Sequence, residues 1–109
     1  MSARLPAPLE PFPDGRRGES GVAAAEERLR DAGVEPWAWS NGPGAIYSAH
    51  EHRTTKLLIC ATGSITFLVG PSGEPIELVA GEGFVLPAGT RHAAVVGPTG
   101  CTCLEGHRP

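Results

Sequence analysis

Three of the four histidines have a spacing that suits a metal site. His50 and His52 are two residues apart near the end of a predicted strand at 44–52, and side chains two apart in a strand project to the same face. His92 follows turn-forming residues at 87–91 and starts another predicted strand. An antiparallel partner that brings His92 to the pair would complete one face of a coordination sphere. The alternative is two surface histidines beside a loop.

Short apolar runs separated by turns must position these residues. The chain has 109 residues, which fits one domain, and its 15 Gly and 11 Pro punctuate the runs. Strands are predicted at 36–40, 44–52, 55–62, 64–69, 75–80, 83–86, 91–96 and 101–105. Turn signals at Gly63 and at 97–100 separate two of these pairs. Many short strands with frequent turns predict an all-β sandwich or barrel.

The first 35 residues differ from the rest. Prolines at 6, 8, 11 and 13 predict an extended, polyproline-like arm over 1–19. A short helix is predicted over 20–33, with its core at 21–32, Ser20 as cap and Gly33 as stop. We therefore divide the chain into an arm and helix at 1–35 and a barrel at 36–109.

The residues around the histidines resemble the two motifs of the cupin superfamily. Gly44, His50, His52, Lys56 and Gly63 have the spacing of the first motif. Gly81, Pro87, Gly89 and His92 have the spacing of the second, although Val96 stands where an Asn is usual. The motifs cover about residues 44–96. The resemblance implies a double-stranded β-helix, or jelly-roll, barrel that is often dimeric. It also implies a divalent metal on two histidines and a glutamate of the first motif and one histidine of the second.

Lys56 occupies the glutamate position, and a protonated ammonium cannot ligate a metal. Three alternatives stay open. His50, His52 and His92 still bind Zn²⁺, Ni²⁺, Fe²⁺ or Cu²⁺, with partial occupancy and a preference for an anionic ligand. Lys56 and the histidines form a metal-free anion pocket. Lys56 is structural, with its ammonium in water at the rim. Neither Glu51 nor Glu105 is a convincing replacement ligand, and His107 is expected to be exposed.

The fold indicates a class more than an activity, because one barrel hosts many chemistries. We expect a small metal-binding cupin that acts on or senses a small anionic molecule. As an enzyme it would perform metal-dependent oxygenase- or isomerase-like chemistry, with Lys56 as the candidate catalytic residue. The alternatives are a non-catalytic binding or sensor module and a metal-free barrel. Trp37 and Trp39 share one strand face, where core or dimer packing is favoured over a ligand platform.

Composition limits the partners. A net charge of −3 without a basic stretch argues against nucleic acid. No signal sequence or membrane-spanning segment is recognisable, so a cytoplasmic protein is expected. Cys60, Cys101 and Cys103 are then free thiols, and small buried side chains are favoured over a soft-metal site. Leu57 and Ile59 face away from the histidines, and a homodimer is expected to cover them unless the arm or helix does so.

Overall fold

The computed structural model describes residues 10–108. One helix, α1 (Val22–Asp31), precedes six strands. They are β1 (Trp37–Asn41), β2 (Ile46–His50), β3 (Lys56–Val69), β4 (Glu74–Val79), β5 (Gly83–Leu86) and β6 (His92–His107). Part of the predicted arm, including Pro6 and Pro8, lies outside the described residues.

The two long strands β3 and β6 pair with each other and carry the four short strands on their outer edges. Along β3, β5 pairs with the first half and β4 with the second half. Along β6, β2 pairs with the first half and β1 with the second half. All of these pairings are antiparallel. The predicted all-β barrel with one N-terminal helix is confirmed.

Two predicted turns are wrong, because the glycines bend strands that do not end there. β3 runs through Gly63, and β6 runs through residues 97–100. The register between them shifts there, so that Gly63 faces Cys101 and Ile65 faces Val96. Gly63 has a φ of 74°, and a Cβ at this position would lie 1.9 Å from the carbonyl oxygen of Gly100. Glycine is therefore required for the close approach that lets the two strands bend together.

The helix is shorter than predicted and begins differently. Its cap is Gly21, with a φ of 102° and no side-chain hydrogen bond, so Ser20 does not cap it. The Gly21 N–H instead donates to the Ala61 carbonyl at 2.9 Å, which ties the start of the helix to β3. The predicted stop is consistent, because Gly33 follows the last helical turn with a φ of 85°.

Two apolar clusters lie on opposite faces of the sheet. The inner cluster fills the barrel and consists of Leu58, Cys60, Ile65, Phe67, Val69, Ile76, Leu78, Phe84, Leu86, Ala94, Val96, Cys101 and Cys103. The outer cluster places Leu29 of the helix and Phe12 of the arm over Leu57 and Ile59. Leu57 and Ile59 are fully buried in this way. The chain itself covers the surface on which the dimer prediction depended, and the homodimer remains an untested prediction.

Candidate metal centre

The three predicted histidines converge at one end of the barrel. One ring nitrogen from each of His50, His52 and His92 lies within 4.8 Å of the others. The ring centroids are 4.4 Å apart for His50 and His92, 4.7 Å for His50 and His52, and 5.1 Å for His52 and His92. Among residues 10–108 this is the only group of three or more His, Cys, Asp or Glu side chains placed to hold a metal.

Strand pairing explains how residues distant in sequence meet. His50 ends β2 and His92 starts β6, and the two are direct antiparallel partners. The predicted strand at 44–52 included His52. In the structure β2 ends at His50, and His52 lies just beyond it. Its carbonyl accepts a hydrogen bond from the Gly89 N–H at 2.8 Å, so the turn before His92 holds the loop that carries His52.

Hydrogen bonds select the same tautomer in all three neutral rings. Nδ1 of His50 lies 2.6 Å from the Ser48 carbonyl, and Nδ1 of His92 lies 3.0 Å from the Thr90 carbonyl. A carbonyl only accepts, so both Nδ1 atoms carry the proton and both Nε2 atoms carry a lone pair. In His52, Nε2 lies 3.2 Å from the Lys56 ammonium, which only donates, so this Nε2 also carries a lone pair. Metal-ligating histidines characteristically donate their second ring N–H in the way that His50 and His92 do. His52 differs, because the hydrogen bond from Lys56 occupies Nε2 itself.

The surroundings keep two of the rings uncharged. Burial is the main cause that lowers the pKa of His92 below its ordinary value, although the Thr90 carbonyl acts in the opposite direction. Burial also lowers the pKa of His52, and the positive charge of Lys56 adds to the effect. Neutral imidazole is the form that binds a metal, so proton competition at these two rings is confined to pH values below the usual range.

Lys56 is buried and forms an ion pair that the sequence analysis missed. Its Nζ lies 2.8 Å from Oε2 of Glu105, and the side chains are 11% and 5% exposed. Oε1 of Glu105 accepts a hydrogen bond from the Trp39 indole N–H at 2.9 Å. The ammonium therefore does not reach water at the rim. The register of β3 and β6 is the signal that reveals this partner. Leu58 faces Glu105, and Lys56 lies two residues before Leu58 on the same side of β3.

The histidines and this ion pair border one cavity of about 230 Å³. Its other walls are mainly aromatic and aliphatic, formed by Trp37, Trp39, Tyr47, Leu58, Phe67, Leu86 and Ala94. Trp39 and Tyr47 also pack against the inner core, whereas Trp37 is 60% exposed at the opening. Core packing is thus confirmed for Trp39. Both tryptophans also line the cavity, so they are in a position to contact a bound ligand, the role that the sequence analysis favoured less.

The remaining candidates lie outside the triad. Glu51 and His107 are exposed, as expected for His107. Cys60, Cys101 and Cys103 are buried free thiols, in agreement with their predicted role. Within the described part of the chain, no helix is long and apolar enough to cross a membrane.

Comparisons with known proteins agree with the fold and do not assign an activity. No family model matches the chain, and no curated protein matches it. An RmlC-like cupin from Shewanella frigidimarina NCIMB 400 is similar, with a TM-score of 0.61 and 26% identity over 70% of this chain and 66% of that chain. KdgF from Halomonas sp. has a TM-score of 0.58 and 24% identity over 70% of each chain. A Klebsiella pneumoniae protein with a double-stranded β-helix domain has a TM-score of 0.59 and 22% identity over 68% of this chain and 62% of that one.

The chain therefore has the cupin fold, and the resemblance seen in the sequence is confirmed at that level. It spans just under two thirds of the length of the Shewanella protein. Because one fold supports many activities, the histidine cluster and its surroundings, and not the neighbours, must carry the argument about function.

Proposed function

We propose that this chain is a metal-binding cupin whose barrel mouth holds a divalent cation on His50, His52 and His92. The observation that carries the proposal is the convergence of three ring nitrogens within 4.8 Å. The residues fit such a cation, because the hydrogen bonds of Nδ1 leave a free lone pair on Nε2 of His50 and of His92. Nε2 of His52 would exchange its hydrogen bond from Lys56 for the metal. Imidazole ligands suit Zn²⁺, Ni²⁺, Fe²⁺ and Cu²⁺, and the donor set does not choose among them.

The charges of the site favour an anion as the second ligand. Lys56 and Glu105 form an ion pair at 2.8 Å, so their charges cancel locally. Neutral histidines add no charge, and a divalent cation would thus leave two positive charges uncompensated. An anionic oxygen donor would reduce this excess. The small anionic ligand expected from the sequence is therefore retained in this proposal for a different reason.

The walls indicate the rest of the ligand. The histidines and the Lys56–Glu105 pair form the charged and ring-nitrogen part of the lining, and Trp37, Phe67 and Leu86 belong to its apolar part. A volume of about 230 Å³ lies below the ~300–1,000 Å³ of typical drug-sized pockets. We infer a compact amphipathic anion, such as a small aromatic carboxylate, with its charged group toward the histidines.

Binding is favoured over base catalysis by the state of Glu105. It is the one carboxylate among the cavity-lining residues, and both of its oxygens are engaged, by Trp39 and by Lys56. Because Trp39 and Lys56 already face these oxygens, neither oxygen is placed to take a proton from a ligand. When bound, the metal would supply a Lewis acid. Lys56 would orient the ligand with the one N–H that its contacts with Glu105 and His52 leave. The aromatic walls would exclude water.

Metal titration of histidine variants tests the proposal. Metal-free protein is titrated with Zn²⁺ and with Ni²⁺ by calorimetry, and elemental analysis is performed on untagged protein. We expect one equivalent to bind. His52→Asn and His92→Asn should each weaken binding by more than the ~10–100-fold that loss of an outer-shell partner costs. His107→Asn is the matched control, because this histidine is 52% exposed and lies outside the triad. Its Nε2 lies 3.9 Å from Oε2 of Glu105, so this variant also measures what the metal loses through that carboxylate alone.

Two results would overturn the proposal. One is the absence of binding by the wild-type protein for each of the four candidate metals. The other is an equal loss of affinity in His107→Asn and in the triad variants, since the metal would then not depend on the converging rings.

A further inference from the structure

The three cysteines lie together inside the barrel, below the candidate metal centre. Cys60 and Cys103 are completely buried, and Cys101 is 6% exposed. Sγ of Cys103 lies 3.9 Å from Sγ of Cys101. Sγ of Cys60 lies 3.4 Å from the Thr62 carbonyl, to which its thiol donates. The three sulfur atoms do not converge as the three histidine nitrogens do, so the cysteines do not form a comparable metal site.

The backbone places Cys60 and Cys103 in the arrangement that a cross-strand disulfide needs. They are direct partners across β3 and β6. The Cys60 N–H donates to the Glu82 carbonyl at 2.8 Å, and its carbonyl accepts from the Gly81 N–H at 2.7 Å. Both groups point away from β6, so Cys60 and Cys103 form a non-hydrogen-bonded pair. The Cα atoms of such pairs are typically ~4.5 Å apart, within the ~4.4–6.8 Å range of disulfides.

Cys101 is a poorer partner for Cys103. The two are separated by one residue on the same strand, and residues two apart in a strand are ~6.6–6.8 Å apart, at the upper limit for a disulfide. Cys60 already faces Cys103 across the two strands, so a disulfide between them requires no change of register.

We propose that Cys60 and Cys103 are a peroxide-oxidisable dithiol that forms a cross-strand disulfide inside the barrel. The Cys60 thiolate attacks one peroxide oxygen, the O–O bond breaks, and Cys60 becomes a sulfenic acid as the other oxygen leaves as water. The Cys103 sulfur then attacks the Cys60 sulfur. The S–S bond forms, the S–O bond breaks, and the hydroxyl leaves as water with the Cys103 proton. Two thiols are oxidised and one peroxide is reduced to two waters.

The two thiols are suited to these different roles. Interaction with the Cys103 side chain is the main cause that lowers the pKa of Cys60, against the opposing effect of burial. The same interaction, together with burial, raises the pKa of Cys103. Cys60 is therefore the sulfur that ionises first, and Cys103 retains the proton that the second step releases as water.

The dithiol lies next to the wall of the cavity. Across the inner face, Leu58 pairs with Glu105, and Cys60 pairs with Cys103 two residues further along. Trp39 is the partner of Cys103 on β1. Leu58, Glu105 and Trp39 all line the cavity, so a small oxidant in the barrel mouth is one residue layer from the two sulfurs.

Peptide mapping tests the proposal. Folded protein is treated with hydrogen peroxide, quenched, and alkylated with N-ethylmaleimide under denaturing conditions. Trypsin leaves Cys60 in peptide 57–91, and both Cys101 and Cys103 in peptide 92–109. The proposal predicts that two of the three thiols become unreactive toward the alkylating agent and that the two peptides are joined by a bond that dithiothreitol breaks. Cys101→Ala, the matched control, should still join them, and Cys103→Ala should not.

The wild-type protein tests the proposal even where a variant does not fold, because fragmentation of the joined peptides in the mass spectrometer shows whether Cys101 or Cys103 carries the N-ethylmaleimide label. The proposal predicts the label on Cys101. A peptide 92–109 that is lighter by two hydrogen atoms would show a Cys101–Cys103 bridge and overturn the proposal. Three alkylated thiols after peroxide treatment, or sulfinic and sulfonic acids without a disulfide, would overturn it as well. Joined peptides that vanish in Cys101→Ala but persist in Cys103→Ala would assign the bridge to Cys101 and contradict it.

Discussion

Nζ of Lys56 lies 2.8 Å from Oε2 of Glu105, and the pair bridges the first residue of β3 and the inner face of β6. The cupin resemblance places a glutamate at position 56. In this chain Lys56 stands at that position, and the carboxylate comes from Glu105 on the neighbouring strand β6, where it neutralises the charge of Lys56. The barrel mouth thus keeps a carboxylate without gaining net charge.

We predict that Lys56→Met destabilises the protein by about 3 kcal/mol. Removing one partner of a buried ion pair leaves the other charge uncompensated in a medium of low polarity, which typically costs ~3–5 kcal/mol. Lys56→Met/Glu105→Gln should recover most of this loss, because no unpaired charge remains and Trp39 still has an oxygen to donate to. Urea unfolding of the two variants measures the difference.

The exposed pair Arg108–Glu10, at 2.8 Å, is the control for this measurement. Arg108→Gln should change the unfolding midpoint far less than Lys56→Met does, because water screens both of its charges. Equal destabilisation by the single variant and the double variant would contradict the interpretation, since the cost would then not come from an unpaired carboxylate.

Acid should destabilise the metal-free protein through His52 and His92. The folded chain lowers the pKa of both rings, mainly by burial. Histidines of the unfolded chain titrate near ~6.5. Below that pH the unfolded chain therefore binds more protons than the folded chain, and stability decreases as the pH falls. The urea midpoint should be constant between about pH 7 and 8 and should decrease between about pH 6.5 and 5.

His92→Asn should flatten this dependence, because it removes one of the two rings whose pKa is lowered by burial. An unchanged midpoint across the same pH range in the wild-type protein would show that neither ring has the lowered pKa on which the neutral metal-binding form depends.

Local residue patterns were sufficient to predict the histidine triad, whereas the partner of Lys56 required the register of the long strands. His50, His52 and His92 lie near strand ends beside turns, where spacing alone limits their positions. Glu105 lies beyond the bend at 97–100, where four residues of β6 stand opposite the single residue Ser64 of β3. Side chains do not alternate regularly through such a bulge, so the face of Glu105 could not be counted from the sequence. For the same reason the pairing of Cys60 with Cys103 was not predictable. The covering of Leu57 and Ile59 depended on tertiary packing of the arm and helix.

Gly63→Ala should destabilise the fold by at least about 3 kcal/mol. The left-handed backbone conformation alone costs ~1–2 kcal/mol for a side-chain-bearing residue. The added Cβ would lie 1.9 Å from the carbonyl oxygen of Gly100, so the two bent strands would have to separate. Gly70→Ala is the matched control, because Gly70 has a φ of 82° with no atom within 4 Å of the added Cβ. Thermal unfolding should show a small loss for Gly70→Ala and a large one for Gly63→Ala; similar losses would contradict a packing role for Gly63.

Trp37→Ala should reduce the affinity of the zinc-loaded protein for benzoate and leave its affinity for acetate unchanged. Trp37 is 60% exposed at the cavity opening, where its ring can pack on an aromatic ligand. A stacked aromatic pair contributes ~0.5–1.5 kcal/mol, which corresponds to a decrease of about 2- to 10-fold. Calorimetric titration measures both ligands, with Val79→Ala as an exposed apolar control outside the cavity lining. Equal losses for benzoate and acetate would contradict an apolar contact with the ligand body.

Restoring the glutamate of the first motif should strengthen metal binding, provided that Glu105 is neutralised at the same time. In Lys56→Glu alone, two carboxylates would face each other, so the informative variant is Lys56→Glu/Glu105→Gln. It removes an ammonium that lies 3.2 Å from Nε2 of His52 and adds a possible oxygen ligand. The carboxylate at position 56 would be uncompensated once Glu105 is neutral. Opposite unit charges at ~4 Å and an effective dielectric of ~20 attract by about 4 kcal/mol, and each ~1.4 kcal/mol changes affinity tenfold. Calorimetry with Zn²⁺ should therefore show at least a tenfold tighter site than in the wild-type protein. Lys56→Met/Glu105→Gln, which adds no ligand, should fall between them; if neither variant binds Zn²⁺ more tightly than the wild type, Lys56 does not oppose the metal.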